Sequence, residues 1–184
     1  MLFPNKPDQG ESARAKAARL RLMAFDVDGV LTDGTLLFTP NGDEIKAFSS
    51  LDGHGLKMLT EAGIEVAIIT GRSSRMVELR AANLGIAHLF QGVDDKRAVM
   101  RVLREQLGIS VEQSGYMGDD VVDLPVLRDC GFSASVSDGH AFVHEHVDFV
   151  TAHGGGRGAV RELCDFILAA QGKLDAMLDG YLTR

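Results

Sequence analysis

The segment Met23-Ala24-Phe25-Asp26-Val27-Asp28-Gly29-Val30-Leu31-Thr32-Asp33-Gly34 runs from a short apolar stretch straight into two aspartates one residue apart, and then glycine. An apolar stretch of this length reads as a strand buried on both faces. An unpaired carboxylate is too costly to keep inside such a strand. Asp26 and Asp28 therefore belong where the chain leaves the sheet, at the strand's carboxyl end. In open α/β sheets that edge is where ligands bind.

Outward from this strand, Leu22 to Val27, the pattern alternates. Thr35 to Phe38 and Glu44 to Phe48 flank Asn41-Gly42, which predicts a small hairpin insertion over 34–48. A helix is expected from Gly53 to Ala62, then a buried strand from Ile64 to Ile69. A helix capped by Ser73 follows to Ala82, then a strand from Ile86 to Phe90 and a helix from Asp94 to Leu107. Ser114 to Met117 reads as a strand, Val121 to Asp129 as a helix, and Phe132 to Val136 and Phe149-Val150 as strands. Ala159 to Ala170 reads as a last amphipathic helix. Strands alternating with helices predict a Rossmann-like α/β fold, a parallel sheet flanked by helices, with no room for a large cap. The domain is expected over 22–172, after a flexible basic arm (1–21, its first residues to about 11 disordered and Ala13 to Arg21 a solvated leader) and before a tail (173–184).

The 184 residues suffice for one domain with a real core. Acidic residues outnumber basic ones, 26 to 19, and no basic stripe follows the arm, so nucleic acid is not expected as a partner. No apolar stretch is long enough to span a bilayer, so no membrane is expected either. Met1 to Gly10 lack the apolar centre of a secretory signal. The two cysteines, Cys130 and Cys164, lie far apart and read as buried thiols of a cytoplasmic protein. His140, His144, His146 and His153 fit no zinc pattern. Gly154 to Gly158 match no phosphate-binding fingerprint and read either as a tight connection or as an anion-binding turn.

Four stations fall at or just after expected strand ends: Asp26 with Asp28, Thr70-Gly71-Arg72, Lys96, and Gly118-Asp119-Asp120 with Asp123. Each alone suits an ordinary turn, helix cap or solvated charge. Asp26 does not open an EF-hand loop, because the twelfth position is Leu37. Together on one sheet edge they suit phosphoryl transfer. Clustered carboxylates need a divalent cation, and hard oxygen donors favour Mg²⁺. One carboxylate can attack phosphorus and a second can move the proton. A hydroxyl and an ammonium can neutralise the phosphoryl oxygens.

In order and spacing these stations resemble the four motifs of the haloacid dehalogenase superfamily of phosphohydrolases. Phe25 to Gly34, Asp52-Gly-His-Gly-Leu-Lys57, Ile68 to Arg72, Gly118 to Val126 and Gly155 to Glu162 are similar, more narrowly, to the 3-deoxy-D-manno-octulosonate (KDO) 8-phosphate phosphatase family. The resemblance implies Asp26 as nucleophile, Asp28 as general acid/base, and Thr70 and Lys96 on the phosphoryl group. It implies Mg²⁺ held by Asp26, the Asp28 backbone and Asp119, with Asp120 and Asp123 behind them. Substrate contacts would come from Asp28, Ser50, Asp52, Gly53, Lys57, Thr70, Gly71, Arg72, Arg80 and Lys96. It further implies a homotetramer with hairpins packed together, and a role in lipopolysaccharide precursor synthesis. Leu51 departs from the arginine that many members carry there. Other readings stay open: a phosphatase for a nine-carbon sugar acid phosphate, a mutase, a phospho-receiver domain, or a silent subunit. The exposed apolar residues of the hairpin, Leu36, Phe38, Ile45 and Phe48, independently suggest an interface.

Overall fold

A computed structural model describes residues 12–182; the segment expected to be disordered, up to about residue 11, lies outside them. In chain order the elements are α1 (Ala13–Ala17), β1 (Leu22–Phe25), β2 (Leu37–Phe38), β3 (Glu44–Ile45), α2 (Ser50–Glu61), β4 (Glu65–Ile69), α3 (Arg75–Leu84) and β5 (His88–Phe90). There follow α4 (Lys96–Leu107), β6 (Ser114–Met117), α5 (Leu124–Leu127), β7 (Phe132–Ser135), α6 (Ala141–His144), β8 (Phe149–Val150), α7 (Ala159–Ala170) and α8 (Leu174–Leu182).

Six strands form one sheet in the order β5-β4-β1-β6-β7-β8, and every pairing is parallel. β1 is central because it is apolar on both faces. Met23 and Phe25 enter one core with Val66, Ile68 and the apolar face of α7, while Leu22 and Ala24 enter the other with Ala67, Ile69, Met100 and Leu103. The period of two along each strand thus divides its residues between two helix layers. After β1 the chain builds β4 and β5 on one side, then crosses to β6, β7 and β8 on the other. β1 and β6 are therefore the switch point, where an open α/β sheet leaves a crevice at its carboxyl edge.

The hairpin is shorter than expected. β2 and β3 pair antiparallel over two residues each, Leu37 with Ile45 and Phe38 with Glu44. Asn41-Gly42 is not the centre of a two-residue turn. Gly42 N donates to Thr39 O (2.9 Å) with Gly42 at φ +87°, and Thr39 N donates to Asp43 O (2.8 Å). Pro40 and Asn41 make the turn and Gly42 takes the left-handed position that closes a three-residue loop.

Other differences have local causes. Ala13 to Arg21 is no solvated leader: Ala17 and Leu20 are buried, and Arg14 donates to Ala169 O at the end of α7 (2.9 Å). The cap of α3 is Ser74 rather than Ser73, and α4 begins at Lys96 rather than Asp94, with Asp95 as its cap accepting from Ala98 N (3.0 Å). The helix expected from Val121 is a 3-10 turn followed by the short α5, with Pro125 in its first turn. The tail holds α8, and α6 escaped notice because four residues carry no periodic signal. Among the described residues no helix is long and apolar enough to cross a membrane, and no large cap covers the sheet.

Candidate active site

The turn after β1 hangs from one carbonyl. Val27 O accepts from the backbone N–H of Val30 (3.2 Å), Leu31 (2.9 Å) and Thr32 (3.0 Å). This fixes Asp26 at the sheet edge, 7% exposed, where its Oδ1 accepts from Val27 N (2.7 Å) and its Oδ2 faces Lys96 Nζ (2.8 Å). Lys96 reaches in from the first turn of α4 and also donates to Asp123 Oδ1 (2.6 Å). Asp123, fully buried, accepts from the Tyr116 hydroxyl (3.2 Å) and, at Oδ2, from the backbone N–H of Asp119 (3.2 Å) and Asp120 (3.4 Å). Asp120 spends its own carboxylate capping the turn, accepting from Val121 N (2.7 Å). Gly29 lets the turn approach β6. Its φ is +88°, and a Cβ there would lie 2.1 Å from Asp119 Oδ2.

Asp26, Asp28, Thr70, Gly71, Arg72, Lys96, Asp119 and Asp120 line one cavity of about 380 Å³, so all four stations converge. The electrostatics of this cavity are unbalanced toward negative charge. Burial, then the neighbouring Asp123, raises Asp26 to about 6 despite Lys96. Burial, then Asp123 and Asp26, raises Asp119 to about 7. Burial works against the Lys96 ammonium, but Asp26 and Asp123 more than offset it and hold its pKa above the usual value.

Five of the expected substrate contacts, Ser50, Asp52, Gly53, Lys57 and Arg80, stand elsewhere. Asp52 is 1% exposed and turned away from the cavity. Its carboxylate accepts from Gly158 N (3.3 Å) and Arg161 N (2.8 Å), capping α7, whose own cap residue is a glycine with no side chain to do so. Arg80 donates to Ser49 O (2.9 Å), lies over the Phe48 ring and leaves no space for a side chain at Gly53. Ser50 and Lys57 are exposed, outside the cavity lining. Asp52→Ala is expected to cost about 1–3 kcal/mol by leaving two helix N–H groups unpaired. Chemical denaturation reads the loss; an altered KM with unchanged stability would return Asp52 to the substrate.

The glycine-rich turn is a tight connection. A Cβ on Gly155 would lie 1.9 Å from Gly29 O and 2.7 Å from Thr32 O, and Gly156 N donates to Val30 O (2.9 Å). Gly155→Ala is expected to push the Asp28 turn aside and destabilise the protein by at least about 2 kcal/mol. A melting temperature within one degree of wild type would refute that.

Lys46 and Glu44 were not singled out from sequence. Lys46 Nζ pairs with Asp28 Oδ1 and lies 3.2 Å from Glu44 Oε1, while Arg72 reaches Asp28 Oδ2 (3.5 Å) and the same Glu44 oxygen (3.2 Å). Nothing local marks Lys46, since a lysine in a hairpin is ordinarily solvated.

A family model described as haloacid dehalogenase-like hydrolase matches residues 38–131, beginning beyond Asp26 and Asp28. A KDO 8-phosphate phosphatase of Escherichia coli strain K12 is 50% identical over 161 residues, 88% of this chain and 86% of that protein. The chain belongs to the haloacid dehalogenase-like hydrolases. Relatives at this identity and coverage are phosphatases, and so is this hydrolase. The crystal structure of the Moraxella catarrhalis KDO 8-phosphate phosphatase, in complex with magnesium ion, phosphate ion and KDO, matches with a TM-score of 0.90 at 45% identity. The match covers 92% of this chain and 97% of that one. The cobalt-bound phosphatase from Haemophilus influenzae has a TM-score of 0.87 at 44% identity, covering 91% and 99%. Membership of this hydrolase family removes the receiver and silent-subunit readings.

Proposed function

We propose that this hydrolase cleaves KDO 8-phosphate to KDO and phosphate, with Mg²⁺, through an aspartyl-phosphate on Asp26. The observation that carries the reading is Asp26 itself, buried at the head of one cavity with Lys96 at 2.8 Å and Asp28, Thr70 and Asp119 around it. That the relatives are named for this substrate supports the choice of ester.

A cation fits the donor set. Carboxylate oxygens of Asp26, Asp119 and Asp123 lie within 4.8 Å of one another. Asp123 has both oxygens engaged by Lys96, Tyr116 and two backbone N–H groups. With Asp123 so engaged, Asp26 and Asp119 would hold the ion, and the family resemblance adds the Asp28 carbonyl to them, with Asp120 and Asp123 behind. The raised pKa values of Asp26 and Asp119 mark carboxylates short of positive charge. When bound, Mg²⁺ supplies that charge to the carboxylates and to the phosphoryl oxygens.

An Asp26 carboxylate oxygen attacks phosphorus while the bond to the sugar oxygen breaks, and Asp28 gives that oxygen its proton. Asp28 then takes a proton from water, which attacks phosphorus and releases phosphate and the Asp26 carboxylate. Lys96 and Thr70 hold the phosphoryl oxygens throughout, and Arg72, half exposed at the rim, offers a guanidinium to the sugar acid.

We also propose a cytoplasmic homotetramer, within lipopolysaccharide precursor synthesis. Leu36, Leu37, Phe38 and Ile45 of the hairpin are 44–58% exposed and form an apolar tip in need of cover. The cavity is open, and Ser50, Leu51 and Lys57 are free to meet a neighbour's substrate. Phe38→Ser is expected to convert a tetramer, measured by light scattering, to smaller species; a wild-type monomer would refute the assembly.

The deciding experiment measures Mg²⁺-dependent phosphate release from a panel that includes KDO 8-phosphate and a nine-carbon sugar acid 9-phosphate. Preference for the eight-carbon ester is expected. Preference for the nine-carbon ester would keep the chemistry and move the substrate, and no release by folded protein would refute both.

A further inference from the structure

The hairpin is not only a surface feature. Its first strand and turn are solvent-exposed, but at Lys46 it turns inward and leaves that side chain 2% exposed. Taking an ammonium out of water is costly unless it is paired. Lys46 is paired twice, with Asp28 Oδ1 and with Glu44 Oε1 at 3.2 Å. Arg72, at the exit of β4, completes the set through Asp28 Oδ2 (3.5 Å) and Glu44 (3.2 Å). Two cations and two anions thus close a ring across three separate parts of the chain: the turn after β1, the hairpin and the β4 exit. Asp28 and Arg72 face the cavity, while Lys46 and Glu44 lie outside its lining.

Neutralising a hairpin would not require this arrangement. A staple that only held β2–β3 to the domain could sit at the exposed rim. Instead the buried cation grips one oxygen of the carboxylate that must point at the leaving group. Asp28 lies in a turn, half buried, with Gly29 next to it. An aspartate so placed keeps several side-chain orientations unless something fixes it.

We propose that Lys46 is the positioning residue for the acid/base Asp28, so that the hairpin sets the efficiency of leaving-group protonation. This rests on the reading of Asp28 given above. Lys46 itself lies outside the cavity lining and acts through Asp28.

The test compares an alkyl sugar phosphate, whose leaving oxygen needs a proton, with p-nitrophenyl phosphate, whose leaving group departs without one. The parameter kcat/KM reports steps only up to release of that group. For Lys46→Met, kcat/KM for the sugar phosphate is expected to fall about ten- to hundredfold, part of the range general acids supply. For p-nitrophenyl phosphate it stays within about threefold, while its kcat falls because Asp28 must still activate water. Lys46→Arg, which keeps the charge and a donor, is expected to restore most of the loss. An equal fall for both substrates, or Lys46→Arg as impaired as Lys46→Met, would overturn the proposal in favour of a packing role. So would no fall for either. A circular-dichroism melt of each variant identifies a folding defect, and if Lys46→Met does not fold, Lys46→Gln, which keeps a donor but not the charge, takes its place: a selective loss on the sugar phosphate supports the proposal, and an unselective loss or no loss overturns it. Asp28→Asn separates the two ideas. If it too shows no selectivity for the alkyl ester, the acid/base reading of Asp28 has failed; if it is selective and Lys46→Met is not, only the role of Lys46 has failed.

Discussion

Asp26→Asn is expected to lower kcat for phosphate release by at least about 10⁴-fold, because an amide nitrogen or oxygen cannot replace the attacking carboxylate. The loss is not expected to come from unfolding. Asparagine has the same shape and can keep the bond from Val27 N (2.7 Å). It also removes a carboxylate that burial has already pushed up to about 6. One contact suffers, since Lys96 Nζ at 2.8 Å loses a charged partner but retains Asp123 at 2.6 Å. The melting temperature should therefore stay close to wild type, and phosphate release should vanish. Residual turnover above about 1% of wild type would mean that another group attacks phosphorus. With Mg²⁺ present the acid limb of kcat/KM should fall below pH 6, since the cation favours the ionised carboxylate.

Asp119→Asn is expected to produce a protein that is more stable without metal and nearly inactive with it. Asp119 is half buried and raised to about 7 by burial, Asp123 and Asp26. An acid whose folded pKa lies above its unfolded value binds more protons folded than unfolded between the two. Stability therefore falls as pH rises through that window. The window runs from 3.8 to about 7 for Asp119 and from 3.8 to about 6 for Asp26. Metal-free wild type should melt progressively lower from about pH 4 to pH 7. Removing the Asp119 charge should recover about 1–3 kcal/mol at pH 7.5, after allowance for solvent screening, and almost nothing at pH 4. Each kcal/mol corresponds to roughly 2–4 °C for a chain of this size. Addition of Mg²⁺ should raise the melting temperature of wild type at pH 7.5 but not that of the variant, and activity should drop at least about a hundredfold. A variant that melts below wild type without metal at pH 7.5 would show that Asp119 is a structural group rather than a strained ligand.

Legibility differs from residue to residue, for physical reasons. Asp26, Thr70 and Asp119 can be found from sequence because each follows a signal carried by its immediate neighbours: a buried apolar run ends, and a polar group appears where the run stops; Lys96, in the first turn of α4, is legible only by its place in the order of the stations. The parallel sheet makes those ends coincide. Asp123 was legible as part of Gly118-Asp119-Asp120, but its saturation by Lys96, Tyr116 and two backbone N–H groups was not. Asp52 is placed with the substrate by the family resemblance alone. Its partners, Gly158 and Arg161, lie more than one hundred positions away, and no local pattern could announce them. Lys46 was missed for the same reason, being an unremarkable lysine until the hairpin folds onto Asp28.

The alternation of apolar runs with amphipathic helices determined the α/β class, and the order of the four stations determined the family and the chemistry. Both are local, since strand burial and strand exit depend on a few adjacent side chains. Tertiary structure decided which charged groups face the cavity and which are consumed in holding it. That choice belongs to contacts between distant segments: α2 capping α7, the glycine turn lying against Gly29, and a hairpin lysine gripping Asp28. Those contacts depend on how layers meet in space, because a buried charge or N–H must find its partner wherever packing brings one within reach.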